Sequence, residues 1–304
     1  MIEDLKEREF ANSEGPGESL EIVEVVLAEV VAEQRAYLGA DSKIQISLYL
    51  EETELNAARV QSALFKRVFT NLTRNAIEAL QGSGSIRLSV AKLNSQTISI
   101  SIEDTGPGFT VDAMKNLFQK GFTTKESGSG LGLSFCKEKI REWNGTLLVS
   151  SNPGKTIIEI ELPVAHLNHG FAHPLVLADY SSLVVVDDHP LEAEINQLVH
   201  KPPMILRSLA DFEAMPINGA ISSQATIVFD LHLEGGRRAL EVLPGLPAGV
   251  DYLFMTSDYL NPELLAAAGK YRFLIVPKDL IGHALETSKE LASGPQILTA
   301  SVSV

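Results

Sequence analysis

One cysteine, Cys136, stands in a chain of 304 residues, so no internal disulfide can form and folding must rest on packing. It lies among apolar neighbours in LGLSFCKEKI, where a role in core packing is expected. Basic residues are also scarce, with 25 Lys and Arg against 39 Asp and Glu and a net charge of −14. No basic patch relieves that deficit, which excludes a nucleic-acid surface. No stretch reaches the roughly 18 consecutive apolar residues of a membrane span. The acidic start MIEDLKERE lacks the features of a secretory signal. A soluble, cytoplasmic chain without direct membrane insertion is therefore expected, any membrane tether belonging to a sensor part outside it. No histidine occurs before His166.

What is present suffices for two packed domains: the length allows them, and 45% of the residues are hydrophobic. Glu18 to Gly39 carries apolar residues at helical spacing, and Lys43 to Glu51 alternates like a strand. A long helix is predicted from about Ala57 to Gln81, then strands over Ser85–Leu93 and Thr97–Asp104. Leu131 to Gly145 reads as a helix stopped by Gly145, and two closing strands run to Pro163. This is an α/β sandwich with helices on one face of its sheet. From Ser182 strands alternate with helices, which predicts a doubly wound parallel α/β sheet. The resulting division is a short leading segment (1–17), a first domain (18–163), a linker (164–181), a second domain (182–292) and a tail (293–304). Gly15, Pro16 and Gly17 would act as a hinge.

Three blocks carry the chemistry of the first domain: NLTRNA (Asn71 to Ala76), DTGPG (Asp104 to Gly108) and GSGLGLS (Gly128 to Ser134). Asn71 and Asn75, four residues apart, share a helix face where amide oxygens can hold a magnesium ion carrying phosphates. Asp104 offers a carboxylate at a strand end, and the glycines let backbone approach a ligand closely. In this order the blocks resemble the ATP-binding domain of sensor histidine kinases, in the superfamily shared with gyrase, the large heat-shock chaperone and mismatch-repair ATPases. LFQKGFTTK (Leu117 to Lys125) is similar to the family's phenylalanine box, and GKTIIEIELP (Gly154 to Pro163) to its closing strand. The resemblance implies ATP and Mg2+ as cofactors, with Asn75 the principal magnesium ligand and Asn71 assisting. It implies Asp104 as partner of the adenine amino group and Thr156 near the base. Gly106, Gly108, Gly128, Gly130, Leu131 and Gly132 would form the lid and phosphate loops, with Lys125 a phosphate contact. ATPases of this superfamily place a glutamate where this chain has Asn71, and an amide cannot serve as general base. A neutral histidine nucleophile needs no such base, so the site favours a kinase over a hydrolase.

In the second domain, chemistry sits at strand ends: Asp187 and Asp188 after SLVVV, Asp230 after ATIVF, Thr256 in LFMTS and Lys278 in LIVPK. Ligands collect at the carboxyl ends of such strands, and three converging carboxylates form a hard-oxygen magnesium site. This half resembles the receiver domain of response regulators. By that resemblance Asp230 accepts phosphate, Asp187, Asp188 and Asp230 hold magnesium, Thr256 is the switch residue and Lys278 pairs with the phosphoryl group. The chain departs from the family in the loop LHLEGGRR after Asp230, in the short interval from Asp230 to Thr256, and in a proline that precedes Lys278. His166, His169 and His173 read as linker residues rather than metal ligands, because no carboxylate or cysteine completes a set. Together the halves resemble the carboxyl-terminal part of a hybrid sensor histidine kinase, with residues 1–17 as the end of a dimerisation helix. The implied partners are a histidine-bearing dimerisation or phosphotransfer domain, in the same protein or another chain, and a downstream response regulator. The rival reading is a non-catalytic module in which ATP and phosphorylation switch a protein-interaction surface.

Overall fold

Alternation of buried and exposed side chains builds the first sheet, in strand order β2 (Lys43–Leu50), β4 (Ser83–Asn94), β5 (Thr97–Asp104), β7 (Lys155–Pro163) and β6 (Thr146–Asn152). β2 runs parallel to β4, and the remaining neighbours are antiparallel. The computed structural model describes residues 17–50, 55–123, 130–167, 170–189, 191–215, 225–233, 239–246 and 251–284. Ile44, Ile46, Leu48, Leu88, Ile98, Ile100, Ile158 and Ile160 point to one face. Three helices, α1 (Val23–Leu38), α2 (Ser62–Ala79) and α4 (Gly132–Glu142), cover it, with α2 in the middle against both others. α2 buries Phe65, Val68, Phe69, Leu72, Ala76 and Ile77 at helical spacing. A one-and-a-half-turn helix, α3 (Val111–Asn116), is capped by Thr110, whose hydroxyl accepts from the Ala113 amide.

Two predicted helix starts are corrected. Ser19–Ile22 (β1) and Ala57–Val60 (β3) pair as an antiparallel ribbon, so α1 begins at Val23 and α2 at Ser62. The ribbon is fixed by Glu24, a buried carboxylate that accepts from the Asn56 amide at 3.0 Å and from its Nδ2 at 2.8 Å. Long-range pairing overrides local helical periodicity here. At the end of α4 the left-handed residue is Asn144, at φ 58, while Gly145 donates its amide to Ile140. Gly145 is needed for space, since a Cβ there would lie 2.6 Å from the Glu161 carbonyl oxygen.

The second sheet is wholly parallel, in the order β12 (Leu274–Pro277), β11 (Asp251–Thr256), β10 (Thr226–Phe229), β8 (Leu183–Val186) and β9 (Met204–Leu206). β8 and β10 are buried along their whole length, as strands covered on both faces must be. The chain leaves β8 towards β9 and returns on its other side at β10, a reversal that opens a crevice at the strand ends. The helices are short: α5 (Glu192–Leu198), α6 (Leu209–Ala214) and α7 (Pro262–Tyr271). The short interval before Thr256 has a structural counterpart, because the described part of the β10–β11 crossover is a 3-10 helix, Ala239–Gly245, containing Pro244.

The linker is paired rather than loose. The Ala165 amide donates to Ala57 at 2.7 Å, and Gly170 and Ala172 bracket Ile275 by hydrogen bonds of 2.8 and 2.9 Å. His173 accepts from the Leu175 amide through Nδ1 and caps the 3-10 helix Pro174–Asp179. Burial lowers its pKa to about 4, which keeps it neutral and structural. His169 lies outside the described residues. No described helix is long and apolar enough to cross a membrane.

Phe65 is fully buried and meets Phe69 and Trp143 edge-on, with ring centroids 4.9 and 5.5 Å away. Phe65→Ala is expected to lower the stability of the first domain by about 3–5 kcal/mol in urea unfolding. A loss under about 1 kcal/mol would contradict this packing.

Candidate functional site

The face of α2 that leaves the core carries Asn71 and Asn75 one turn apart, both half-buried. The Asn71 amide lies against the Cys136 thiol of α4, which is wholly buried and also 3.7 Å from the Val68 carbonyl. Burial pushes the thiol up to about 12, so it is a neutral packing group, as expected from the sequence. Asp104 ends β5 at 6% exposure, with Oδ1 accepting from the Gly106 amide at 2.8 Å. Burial raises its pKa, the Gly106 hydrogen bond opposes this, and Glu103 adds to it.

The glycine loops close around these groups. Gly106 sits over the last turn of α2, where its Cβ would be 3.4 Å from that of Ala79, and its carbonyl accepts from the Gly154 amide at 2.8 Å. Gly108, at φ +79, passes so close to Asn152 that a Cβ would lie 2.8 Å from its carbonyl oxygen. Gly130, at φ +65, stacks on Gly121, whose amide donates to the Gly130 carbonyl at 3.1 Å. Gly132 opens α4, and Leu131 before it is half exposed. Lys125 and Gly128 lie outside the described residues. Thr156 is buried beside Asp104, opposite it across β5 and β7, and its hydroxyl is 3.0 Å from that of Ser151. Ser151 and Gly121 were not singled out from the sequence. Ser151 has the alternation of an ordinary edge strand, and only the strand register places it beside Thr156.

A second cluster occupies the carboxyl ends of the parallel strands. Asp187, fully buried, and the half-buried Asp188 and Asp230 each offer a carboxylate oxygen, all within 4.8 Å of one another. Among the described residues this is the acidic or histidine-bearing group spaced for a metal. Lys278 Nζ bridges it, 2.7 Å from Asp187 Oδ2 and 2.8 Å from Asp230 Oδ2. Burial raises the Asp230 pKa, Lys278 opposes the rise, and Asp187 reinforces it. Burial pulls Lys278 down, but its bonds to Asp187 and Asp230 leave it raised. Thr256 is buried at the end of β11, accepting from the Asp258 amide at 3.2 Å. His189 is exposed and pairs with Asp188 at 3.1 Å. The pair His232 and Asp258, 2.9 Å apart, spans the loops after Asp230 and Thr256 and was not singled out from the sequence.

Residues 60–166 match the family of histidine kinase-, DNA gyrase B- and HSP90-like ATPases. The chain is 41% identical over 100 residues to sporulation kinase E of Bacillus subtilis, covering 33% of this chain and 14% of that protein. It is 38% identical over 111 residues to the sensory histidine kinase/phosphatase NtrB of Rhodobacter capsulatus, covering 33% and 31%. It thus spans less than a third of the length of either relative. Among solved structures, full-length ShkA in complex with AMPPNP aligns over 89% of this chain and 57% of that one, at 19% identity and a TM-score of 0.47. The mycobacterial sensor histidine kinase MprB aligns over 49% and 99%, at 21% identity and a TM-score of 0.44. Residues 60–166 are therefore similar to ATPase domains of the histidine-kinase type, and the relatives matched include a sporulation kinase and a sensory histidine kinase.

Gly130 and Gly132 should differ sharply. A Cβ on Gly130 would fall 2.3 Å from the Gly121 carbonyl carbon at a positive φ, whereas among the described residues one on Gly132 meets open space at the start of a helix. In thermal unfolding without nucleotide, Gly130→Ala is expected to destabilise by more than about 1 kcal/mol. Gly132→Ala should be neutral or stabilising by up to about 1 kcal/mol. Equal effects would show that the loops do not pack in this way.

Proposed function

We propose that the chain is the catalytic ATP-binding part of a histidine kinase joined to a phosphate-accepting receiver domain. The observation that carries the kinase reading is the grouping itself: Asn75 on α2, Asp104 at the end of β5 and the glycine loops near them, with an amide, Asn71, one turn before Asn75. Asp104 accepts from the adenine amino group, Thr156 faces the base, and Lys125 contacts phosphate. Gly106, Gly108, Gly128, Gly130, Leu131 and Gly132 supply lid and phosphate-loop backbone. Magnesium, held by Asn75 with Asn71 assisting and in the second cluster by Asp187, Asp188 and Asp230, would supply neutralisation of phosphate charge.

The nucleophile comes from a histidine on another domain or chain. Its ring nitrogen forms a bond to the γ-phosphorus of ATP as the bridging oxygen departs with the electron pair on ADP. Asp230 then attacks that phosphohistidine: the new P–O bond forms on Asp230, and the P–N electron pair returns to the imidazole. Lys278, already bridging Asp187 and Asp230, stands ready to compensate the arriving negative charge. Thr256 follows the phosphoryl group as the switch residue. A downstream response regulator is the further partner of this relay.

Labelled ATP with magnesium, given to this chain alone and mixed with a histidine-bearing helical dimer, tests both steps. Label should appear on the partner's histidine and then on Asp230. Asn75→Ala should abolish both signals, and Asp230→Asn should leave the histidine labelled and stop the second step. ATP binding with no transfer would establish the switched interaction module instead, and steady phosphate release without a partner would establish a hydrolase. Affinity for ATP should also depend on pH. The carboxylate form of Asp104 accepts the amino proton, so binding is full above its raised pKa and is lost as pH falls through it. Asp104→Asn should bind weakly and without this acid limb, as read by titration calorimetry across pH.

A further inference from the structure

Every residue from Val23 to Ala28 in α1 is buried. A helix that rests on one sheet buries a stripe, so burial all round requires cover from more than one side. α2 and β2 supply part of that cover, and the turn Lys278–Leu280 of the second domain packs on α1 as well. One apolar cluster accordingly holds Ile22 and Val26 of the first domain together with Tyr259, Leu264 and Leu280 of the second. The domains are docked through apolar surface, not only tethered.

Two side chains of this junction stand close in the chain to groups of the acidic cluster. Leu280, fully buried, ends the turn that begins with Lys278, whose Nζ bridges Asp187 Oδ2 and Asp230 Oδ2. Tyr259 lies three residues beyond Thr256 and packs edge-on against Phe171 of the linker, with ring centroids 6.4 Å apart. Thr256 Oγ1 accepts from the Asp258 amide at 3.2 Å, which fixes the loop that leads to Tyr259. Ser257 Oγ, 3.4 Å from Asp279 Oδ1, ties that loop to the turn. Phe171 pairs in its turn with Ile275 of β12. Lys278 and Thr256 are thus each within three residues of a side chain that holds the domains together.

We propose that this junction is a switch set by Asp230: when Asp230 carries a phosphoryl group, Lys278 and Thr256 turn to its oxygens, Leu280 and Tyr259 lose their seats, and the second domain loosens from α1. This rests on the proposal that Asp230 accepts phosphate. The docked arrangement is built with Lys278 shared between two carboxylates and Thr256 committed to a backbone amide, and a phosphoryl group competes for both side chains. A junction that served only to join the domains would not respond to the state of Asp230.

The test loads the full chain with magnesium and beryllium trifluoride, which binds a carboxylate as a phosphoryl group would, and follows amide hydrogen exchange by mass spectrometry. Slower exchange at Leu231, whose amide donates to Asp230 Oδ1 at 2.7 Å, reports that the site is filled. The Ala172 amide, which donates to the Ile275 carbonyl, and helix α1 should then exchange roughly three- to tenfold faster, the scale of one edge-on aromatic contact. Tyr259→Ala should exchange fast at these places without the mimic and gain less than about twofold from it. Tyr259→Phe keeps the ring and should behave as the unmodified chain, and Asp230→Asn should show neither change. A filled site with unchanged exchange at Ala172 and α1 overturns the inference and leaves the acceptor site standing. Absence of slowing at Leu231 in the unmodified chain overturns the acceptor reading, and this inference with it.

Discussion

Phe65, Val68, Phe69, Leu72, Ala76 and Ile77 bring one side of α2 against the first sheet, and helical geometry then turns Asn71 and Asn75 toward the cleft. The other groups of the proposed nucleotide site are placed relative to this burial. Gly106 rests on Ala79 at the end of the same helix, and the Cys136 thiol packs α4 against Asn71 and Val68. An apolar core thus sets the positions of the polar groups on the other face of the same helix. The helix is in turn held from outside by α1 and α4, with Trp143 donating to Gln61 at 2.6 Å just before α2 begins.

The second site depends on a different constraint, the cost of crowding carboxylates at a partly buried place. Asp187 is fully buried, and Asp230 is held near it, so each charge disfavours the other. Lys278 offsets this by lying between them. The parallel sheet makes the crowding unavoidable, because β8, β10 and β12 all end on the same edge and deliver Asp187, Asp230 and Lys278 there.

The two sheets are joined by more than a tether. The linker adds a rung to the β1–β3 ribbon at Ala165 and one to the second sheet at Phe171, and α1 packs on the turn Lys278–Leu280 that follows β12. Tyr259, just beyond Thr256, is buried at this junction against Phe171, with ring centroids 6.4 Å apart. Burial first, and then Glu21, Glu29 and Asp279, push its hydroxyl pKa up, which keeps it neutral. The turn that carries Lys278 is thereby seated against the first domain's helix α1, and the loop after Thr256 against the linker.

The motifs and the strand ends were legible in the sequence because they rest on local rules. Alternation marked β2 and β5, the apolar runs before Asp187 and Asp230 marked buried parallel strands, and spacing put Asn71 and Asn75 on one helix face. The wholly parallel second sheet follows from the same alternation of strands and helices. Partners distant in the chain were not legible. Ala57–Val60 reads as helix until Ser19–Ile22 pairs with it, and nothing local in the linker marks its bonds to Ala57 and Ile275. Gly121 gains its meaning only when Gly130 stacks on it, and Ser151 only when the register of β6 and β7 sets it beside Thr156. The sequence by itself determined which residues could bind nucleotide and accept charge, since chemistry and local periodicity belong to each segment alone. Tertiary structure decided which of them meet, because register and packing are settled between segments far apart in the chain.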